Sequence, residues 1–272
     1  AYAYAAFAGE AMPAVIDRLA RLRREGVIEH IFYVAEMPLA PGEKGQPDFT
    51  VLGPLLGRRR LVDQALAIVH DELAAVPGCR GVRTGDAEQV TPDDPIYHRV
   101  ITFLGTPTCE GLRKRMGTPT CALDETSPVR MCTLQALVPF EGRAVRDVLG
   151  LLQAGADASR LVVQPHFSSV TPRSLNLMIA ICFPREPGTV ERVRALRDEL
   201  QANLPANGFH MSREGIDPLR DAMAGGPRDE AWARIKRAFD PQGVIAPGRY
   251  VRTGDRAADA GHAPAHAAPP RE

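Results

Sequence analysis

The segment MCTLQALVPF, from Met131 to Phe140, is an apolar run of strand length, and the order of elements around it decides the fold class. A helical pattern follows it, with apolar residues three or four positions apart: Val145, Val148, Leu149 and Leu152. Two further strand-like runs come next, LVVQPHF from Leu161 and LNLMIAICF from Leu175. A strand, a helix and two closely spaced strands favour an antiparallel sheet with helices packed on one face.

A similar order occurs in the N-terminal half, where the strand-like run FTVLGPLLG begins at Phe49. Helical spacing marks four more segments: Val15, Ile16, Leu19 and Leu22; Leu61, Val62, Ala65, Leu66 and Val69; Val190, Val193, Leu196 and Leu200; Trp232, Ile235 and Phe239. No GxGxxG or GxxxxGK turn follows a strand, which argues against a doubly wound nucleotide-binding fold. The sequence therefore predicts an α+β fold with a ferredoxin-like antiparallel sheet and helices on one face.

Charge and hydropathy exclude several partner classes. The chain has 33 basic and 33 acidic residues, so it offers no electrostatic reason to bind nucleic acid or an anionic membrane. No apolar run approaches the ~20 residues of a membrane-spanning helix. The first residue is Ala, and AYAYAAFAGE lacks the regions of a signal peptide, so we interpret the chain as processed or, preferably, as a fragment.

The five cysteines are scattered and form no CxxC pair. We therefore expect a reduced, cytoplasmic protein with neither a zinc site nor a disulfide framework. Two of the cysteines belong to a repeated pentapeptide, GTPTC, at Gly105–Cys109 and Gly117–Cys121. These cysteines could be metal ligands or a redox pair, but a surface or active-site loop with chance repetition is the favoured interpretation.

The last ordered pattern is FDPQGVIAPGRY, from Phe239 to Tyr250. A helix should end at Asp240, because the residue before a proline is disfavoured in the α region. Gly243 permits a turn with positive φ, after which we expect Val244 and Ile245 to be buried. A second bend at Pro247–Gly248 would bring the backbone close to a ligand and let Arg249 reach an anion.

This stretch resembles the C-terminal signature of FAD-linked oxidases of the vanillyl-alcohol oxidase and p-cresol methylhydroxylase family. Further similarity follows in the family's order: FAGEAMPAVIDRLARLRREGVIEH, VLGPLLGRRRLVDQALAIV, MCTLQALVPFEGRAV and NGFHMSREGI. The resemblance covers most of residues 7 to 251. It implies the C-terminal cap domain of such an enzyme, which covers the flavin ring and shapes the substrate pocket, without the FAD-binding domain.

The resemblance also implies a division of the chain. Residues 1–48 would be the end of the FAD-binding domain with a connecting helix and strand, and residues 49–251 the cap domain. Residues 252–272 are rich in Ala and Pro and are interpreted as a disordered tail.

The implied activity is that of an FAD-dependent oxidoreductase similar to 4-cresol dehydrogenase. Hydride would leave the benzylic carbon of a para-substituted phenol for flavin N5, and water would attack the resulting quinone methide to give an alcohol. The electrons would pass to oxygen or to a c-type cytochrome. The other implied partners are the missing FAD-binding domain and a small aromatic or alcohol substrate, and a homodimer is compatible with the sequence.

The pair Ser212–Arg213 matches a Tyr–Arg pair of the family. Arg213 is predicted to lie beside the flavin, where its guanidinium would stabilise the negative charge that grows on reduction. Ser212 departs from the family, because it can donate a hydrogen bond but cannot stack as the Tyr does. This departure weakens the phenol interpretation, although His210 could serve as a donor in the pocket.

Covalently flavinylated relatives carry His or Tyr at the position that matches Met131. A thioether cannot form those linkages, so we expect FAD to be bound non-covalently, with Met131 near the cofactor. If the register slipped by one residue, Cys132 would be the attachment point, but a cysteine on an apolar strand is usually a core residue.

Asn176 matches a polar position near the catalytic centre of relatives. Burying its amide costs about 1–3 kcal/mol unless it is paired, so it either faces the pocket or bonds a neighbouring loop. Arg173 is a weaker candidate of the same kind. Gly248 and Arg249 are predicted to contact the cofactor from the side of the cap.

Two alternatives remain open at this stage. In the first, the enzyme also uses FAD, but its substrate is a non-phenolic alcohol or hydroxy acid, because Ser212 replaces the phenolate-binding Tyr. Alternatively, the chain is a non-catalytic module from a truncated or split gene, with no cofactor of its own.

Overall fold

A computed structural model describes residues 1–36, 48–103, 105–106, 108–109, 129–213 and 227–245. The side chains of Phe103, Arg213 and residues 227–229 lie outside the described part. The chain divides into two compact units, Ala1–Arg213 and Glu214–Glu272, and each is described by itself.

The first unit contains the same βαββαβ order twice. The first repeat consists of β1 (Tyr2–Phe7), α1 (Met12–Arg24), β2 (Tyr33–Glu36), β3 (Phe49–Pro54), α2 (Arg59–Ala74) and β4 (Cys79–Gly85). The second repeat consists of β5 (Val129–Pro139), α4 (Gly142–Ser159), β6 (Val162–Ser169), β7 (Ser174–Pro184), α5 (Thr189–Ala206) and β8 (Met211–Arg213). A short helix between the repeats, α3 (Tyr97–Phe103), belongs to neither.

The eight strands of the described residues form one antiparallel sheet in the order β4-β1-β3-β2-β6-β7-β5-β8. Each repeat has the strand order of a split βαβ unit, and the two are joined edge to edge where Val34 of β2 lies opposite Phe167 of β6. Backbone bonds fix this junction, since Ser169 N–H donates to Phe32 O (3.1 Å) and Ser169 Oγ accepts from Phe32 N–H (3.0 Å). The buried Ser169 therefore has hydrogen bonds at both its backbone N–H and its side-chain oxygen.

The hydrophobic core lies between the sheet and the helices of both repeats. Helices α1 and α4 pack against each other, and most core-facing residues of β6 and β7 are fully buried, among them Phe167, Leu177 and Ile179. Asp17 of α1 accepts a hydrogen bond from the first backbone N–H of α4, at Gly142 (2.6 Å). A side chain at Gly142 would overlap the Pro13 carbonyl, so only glycine permits this close approach.

Helix α3 covers the opposite face of the sheet, over the first repeat. A second, smaller apolar cluster forms there from Tyr2, Leu52, Ala87, Ile96 and Val100. Arg99 Nη1 donates to Thr50 Oγ1 (2.8 Å), which satisfies a hydroxyl on β3 that would otherwise be buried alone. Residues of β1 and β3 in the first repeat are thus buried on both faces, whereas Tyr33 of β2 stays partly exposed.

The described part of the second unit consists of helix α6 (Pro227–Phe239) and the turn that follows it. The helix ends before Asp240, and Gly243 has φ 64°, as the sequence predicts. The Asp240 carboxylate accepts backbone N–H bonds from Val244 and Ile245, both at 2.9 Å, and also contacts the Lys236 ammonium. This bonding lowers the pKa of Asp240, chiefly through Lys236.

The α+β class with an antiparallel, ferredoxin-like sheet is confirmed, and so are the five helical segments. The predicted burial of Val244 and Ile245 is wrong: both are exposed, because the turn is held by their backbone N–H groups and not by their side chains. The boundary at residue 48 stays a prediction, and strands on both sides of it share one sheet. The predicted tail, residues 252–272, lies outside the described residues.

Candidate functional site

The candidate site lies on the face of β2, β6, β7, β5 and β8 that points away from α1, α4 and α5, which we call the distal face. Successive residues of a strand alternate between faces, so the polar residues of these strands segregate from the core. The distal-face residues used below are Tyr33, Thr133, Gln135, Leu137, Gln164, His166, Ser168, Asn176, Met178, Ala180 and Ser212. Most are half-buried, and none of them is acidic.

The strand register places the polar side chains in adjoining cross-strand rows. Ser168 lies opposite Asn176, and on its other side it lies opposite the partly exposed ring of Tyr33. One row further along, His166 and Gln135 lie on either side of Met178. Hydroxyl, amide, imidazole and aromatic groups therefore lie close together in one patch of the distal face.

Ser212 and Asn176 meet, although 36 positions separate them in the sequence. Ser212 Oγ donates to Asn176 Oδ1 at 3.1 Å. The bond uses the amide oxygen, so Asn176 Nδ2 keeps two N–H donors and Ser212 Oγ keeps acceptor capacity for a further group. The side chain of Asn176 thus bonds a residue of strand β8 and not a neighbouring loop, and its N–H donors point to the other predicted alternative, a position that faces a pocket.

Of the other residues predicted to contact the cofactor, the structure describes only the backbone of Arg213. The backbone of Arg213 lies opposite Gln135, at the same end of the sheet as Ser212, but its side chain is outside the described part. Gly248 and Arg249 lie outside the described residues.

Met131 and Cys132 lie on opposite faces of β5. Met131 is on the distal face, six residues from Leu137 and hence about 20 Å along the strand from the Asn176 row. Cys132 packs against the core on the helix side, where burial raises the pKa of its thiol. A protonated thiol on the helix side does not fit a flavin attachment point on the distal face.

Three other residues singled out by the sequence lie elsewhere. Arg173 is exposed in the turn between β6 and β7, and His210 is exposed with its carbonyl bonded to Leu137 N–H (2.7 Å). Cys109, in the first GTPTC segment, is disulfide-bonded, so the expectation that all the cysteines are reduced is wrong for this residue. Cys121 lies outside the described residues, and Cys79 and Cys132 are free thiols.

The sequence analysis missed the polar residues of β6 and the amide of Gln135. The signal was present, because Gln164, His166 and Ser168 alternate with Pro165 and Phe167 at the period of a strand with one polar face. Tyr33 had no such signal, since β2 is only four residues long.

Within the described ranges, no helix is long and apolar enough to cross a membrane, and no cluster of three or more potential metal ligands occurs.

Two solved structures superpose on nearly the whole chain. The 4-ethylphenol oxidase from Gulosibacter chungangensis matches 94% of this chain and 54% of its own, with a TM-score of 0.74 and 14% identity. A p-cresol methylhydroxylase matches 92% of this chain and 52% of its own, with a TM-score of 0.71 and 18% identity. The chain has the fold of an FAD-linked oxidase domain. The resemblance found in the sequence is thereby confirmed for the fold.

Sequence comparison adds a relative that is named for a different activity. The 1'-carboxy-chondrochloren decarboxylase of Chondromyces crocatus is 30% identical over 125 residues, which are 43% of this chain and 22% of the relative. No family model matches the chain. The FAD-linked oxidase fold described here spans about half the length of the solved structures it matches.

Proposed function

We propose that this chain is the substrate domain of an FAD-dependent oxidoreductase, and that its distal face covers the substrate. The observation that carries the proposal is the Ser212–Asn176 hydrogen bond, which joins an exposed hydroxyl to a half-buried amide within the polar patch. In a sheet whose other face is a dry core, such a patch favours a ligand-facing surface. The match of the fold to a 4-ethylphenol oxidase and a p-cresol methylhydroxylase supports a redox enzyme.

The residues of the distal face suit a flavin better than a cofactor that carries positive charge. Bound FAD would supply the acceptor for a hydride and would gain negative charge on reduction. The absence of acidic side chains among the described distal-face residues avoids repulsion of that charge. Arg213 and Arg249 would add favourable charge, with Gly248 permitting close approach, and Met131 would contact the cofactor without a covalent bond.

The proposed reaction is oxidation of a para-substituted phenol at the benzylic carbon. Asn176 Nδ2 would donate to a substrate oxygen while Ser212 holds the amide in place, and Tyr33 would contact the aromatic ring. These groups bind and orient the substrate, and neither Ser212 nor Asn176 titrates near neutral pH. A c-type cytochrome or oxygen would take the electrons, and a homodimer is compatible with this proposal.

A second candidate is a non-phenolic alcohol or hydroxy acid as the substrate. Ser212 replaces the phenolate-binding Tyr that the resemblance implies, and the name of the Chondromyces crocatus relative describes a carboxylated substrate. A neutral amide and a hydroxyl bind an alcohol or a carboxylate oxygen as well as a phenol.

The test is anaerobic mixing of the full-length, FAD-containing protein with 4-cresol, vanillyl alcohol or a 2-hydroxy acid. Loss of flavin absorbance with a phenol supports the first proposal, and loss with the hydroxy acid alone supports the second. A full-length protein that purifies without flavin and binds none would support the non-catalytic module instead. We expect the 272-residue chain alone to lose FAD on gel filtration, because the FAD-binding domain would hold most of the cofactor.

A further inference from the structure

Three large apolar side chains at the edge of the distal face are open to solvent. Ile31, Tyr33 and Val170 are 42%, 47% and 48% exposed, whereas the neighbouring Phe32 and Ser169 are buried. Single apolar residues on a surface are ordinary, but a contiguous exposed patch marks a surface that binds another molecule. The strand pairing shows that these three residues are contiguous.

The pairing continues beyond the last residues of the β2–β6 ladder. Ser169 forms two hydrogen bonds with Phe32, so the residue after Ser169 and the residue before Phe32, Val170 and Ile31, lie side by side. Ile31 and Tyr33 are on the same face, because they lie on either side of the buried Phe32. Ile31, Tyr33 and Val170 therefore form one surface, which we call the apolar patch.

The apolar patch adjoins the Ser212–Asn176 pair. Val170 N–H donates to Ser174 O (3.2 Å), so Val170 continues β6 alongside β7. Since Ser168 lies opposite Asn176, Val170 is diagonal to Asn176, one strand across and two residues along. Diagonal neighbours in a sheet are about 7–8 Å apart, which a phenol bridges when its oxygen accepts from the Asn176 amide.

We propose that the apolar patch binds the para substituent of the substrate, and that this substituent is an alkyl group larger than methyl. The substrate oxygen accepts from Asn176 Nδ2, and the ring lies over Ser168 beside Tyr33. The substituent then lies on Ile31 and Val170, which are too far apart for one methyl group to cover both. This inference rests on the proposed function, because it takes the distal face to be the substrate face, and it adds the size and polarity of the substituent.

Strand β6 supplies a matched control at its other end. Val162 is on the same face and is 58% exposed, but it lies six residues, or about 20 Å, from Ser168. Replacement of valine by threonine keeps the β-branched shape and replaces a methyl group with a hydroxyl. Val162→Thr therefore makes the same chemical change as Val170→Thr at a place that the proposed substrate does not reach.

The test compares the binding of 4-cresol and 4-propylphenol to the full-length flavoprotein. Dissociation constants are measured by calorimetry on protein kept reduced with dithionite, so that no turnover occurs. Because each buried methylene group strengthens binding by roughly fourfold, the wild type should prefer 4-propylphenol by about tenfold. The double variant Ile31→Thr/Val170→Thr should keep a preference below about threefold, and Val162→Thr should keep the wild-type preference.

Three results would overturn the subsite: equal binding of the two phenols by the wild type, a preference that the double variant keeps, or an equal loss of preference in Val162→Thr. The melting temperature and flavin content of each variant are recorded as well. A double variant that unfolds or loses its flavin would show that the apolar patch packs against protein, and this result would also overturn the subsite.

Anaerobic mixing of the same two phenols with the oxidised flavoprotein separates this inference from the proposed reaction. If the flavin is reduced but the alkyl chain has no effect on binding, the subsite is wrong and the proposed function stands. If the preference depends on Ile31 and Val170 but neither phenol reduces the flavin, the subsite stands and the proposed reaction is wrong. Failure of both phenols to bind would overturn both.

Discussion

The two repeats of the first unit have the same βαββαβ topology but treat the distal side of the sheet differently. In the first repeat, helix α3 and the residue before it cover part of that side, where Val100 and Ile96 pack with Leu52. In the second repeat, the equivalent side carries Ser168, Asn176 and Gln135 in a half-buried patch. The duplicated scaffold therefore covers part of this side in one repeat and presents a polar patch on it in the other, without a change in its strand order; under the proposed function, that patch contacts the ligand.

The largest expected effect compares the two faces of β6. Phe167→Ala removes a fully buried ring from the core of the second repeat and should lower the free energy of unfolding by about 3–5 kcal/mol. Ser168→Ala, one residue further and on the distal face, should change it by less than about 0.5 kcal/mol. Chemical denaturation of both variants measures the difference, and equal effects would contradict the assignment of the faces.

The next effect concerns a carboxyl group in the first repeat. Burial raises the pKa of Glu36, at the end of β2, to about 7. The folded protein thus binds a proton more tightly than the unfolded chain, so stability falls as the pH rises from about 4.5 to 7. Glu36→Gln should be more stable than the wild type at pH 8, by up to roughly 3 kcal/mol, and the difference should vanish near pH 4. A gain of the same size at both pH values would contradict the raised pKa.

A smaller effect tests how the helices of the two repeats meet. Gly142→Ala places a methyl group 2.2 Å from the Pro13 carbonyl oxygen and should cost about 1–3 kcal/mol. Gly150→Ala, on the same helix with no atom within 4 Å, should instead stabilise the protein by about 0.5–1 kcal/mol. Thermal melts of the pair give the signs, and a stabilising Gly142→Ala would contradict the close approach of α1 and α4.

The smallest effect is expected outside both repeats, in the turn after α6. Asp240→Asn removes the carboxylate that holds the Val244 and Ile245 N–H groups, so hydrogen exchange of these two amides should accelerate at neutral pH. The pKa of Asp240 is lower in the folded protein than in the unfolded chain. The carboxylate therefore stabilises the turn fully at pH values above the ordinary pKa of aspartate, and this contribution is lost as the pH falls through the lowered pKa. The difference between variant and wild type should therefore disappear in acid. Glu230→Gln, in an exposed pair with Arg234, is the control and should change neither amide.

Much of the fold could be predicted from the sequence because its long elements have strong periodicity. The helical spacing of apolar residues in α1 and the apolar runs of β5 and β7 specify elements that pack on one core. Strands β1, β2, β4 and β8 were missed: β1 is rich in alanine, β4 carries glycine and arginine, and β2 and β8 are four and three residues long. The missed strands occur at the positions where pairing to neighbours, and not local propensity, determines the structure.

The candidate site was predicted only in part, for a related reason. Ser212 and Asn176 were identified singly from the resemblance, but their hydrogen bond depends on the order in which β7, β5 and β8 assemble. Gln135 and Gln164 resemble ordinary solvent-facing strand residues in the sequence. Only the register shows that they share a face with Asn176.

The most direct measurement of the central claim is the rate of anaerobic flavin reduction in the full-length Asn176→Ala variant, recorded together with its melting temperature. If the distal face covers the substrate, reduction should slow by about tenfold or more through loss of a directed hydrogen bond, while the melting temperature changes by only a few degrees. An unchanged rate of flavin reduction in a folded, flavin-loaded Asn176→Ala protein would contradict the claim.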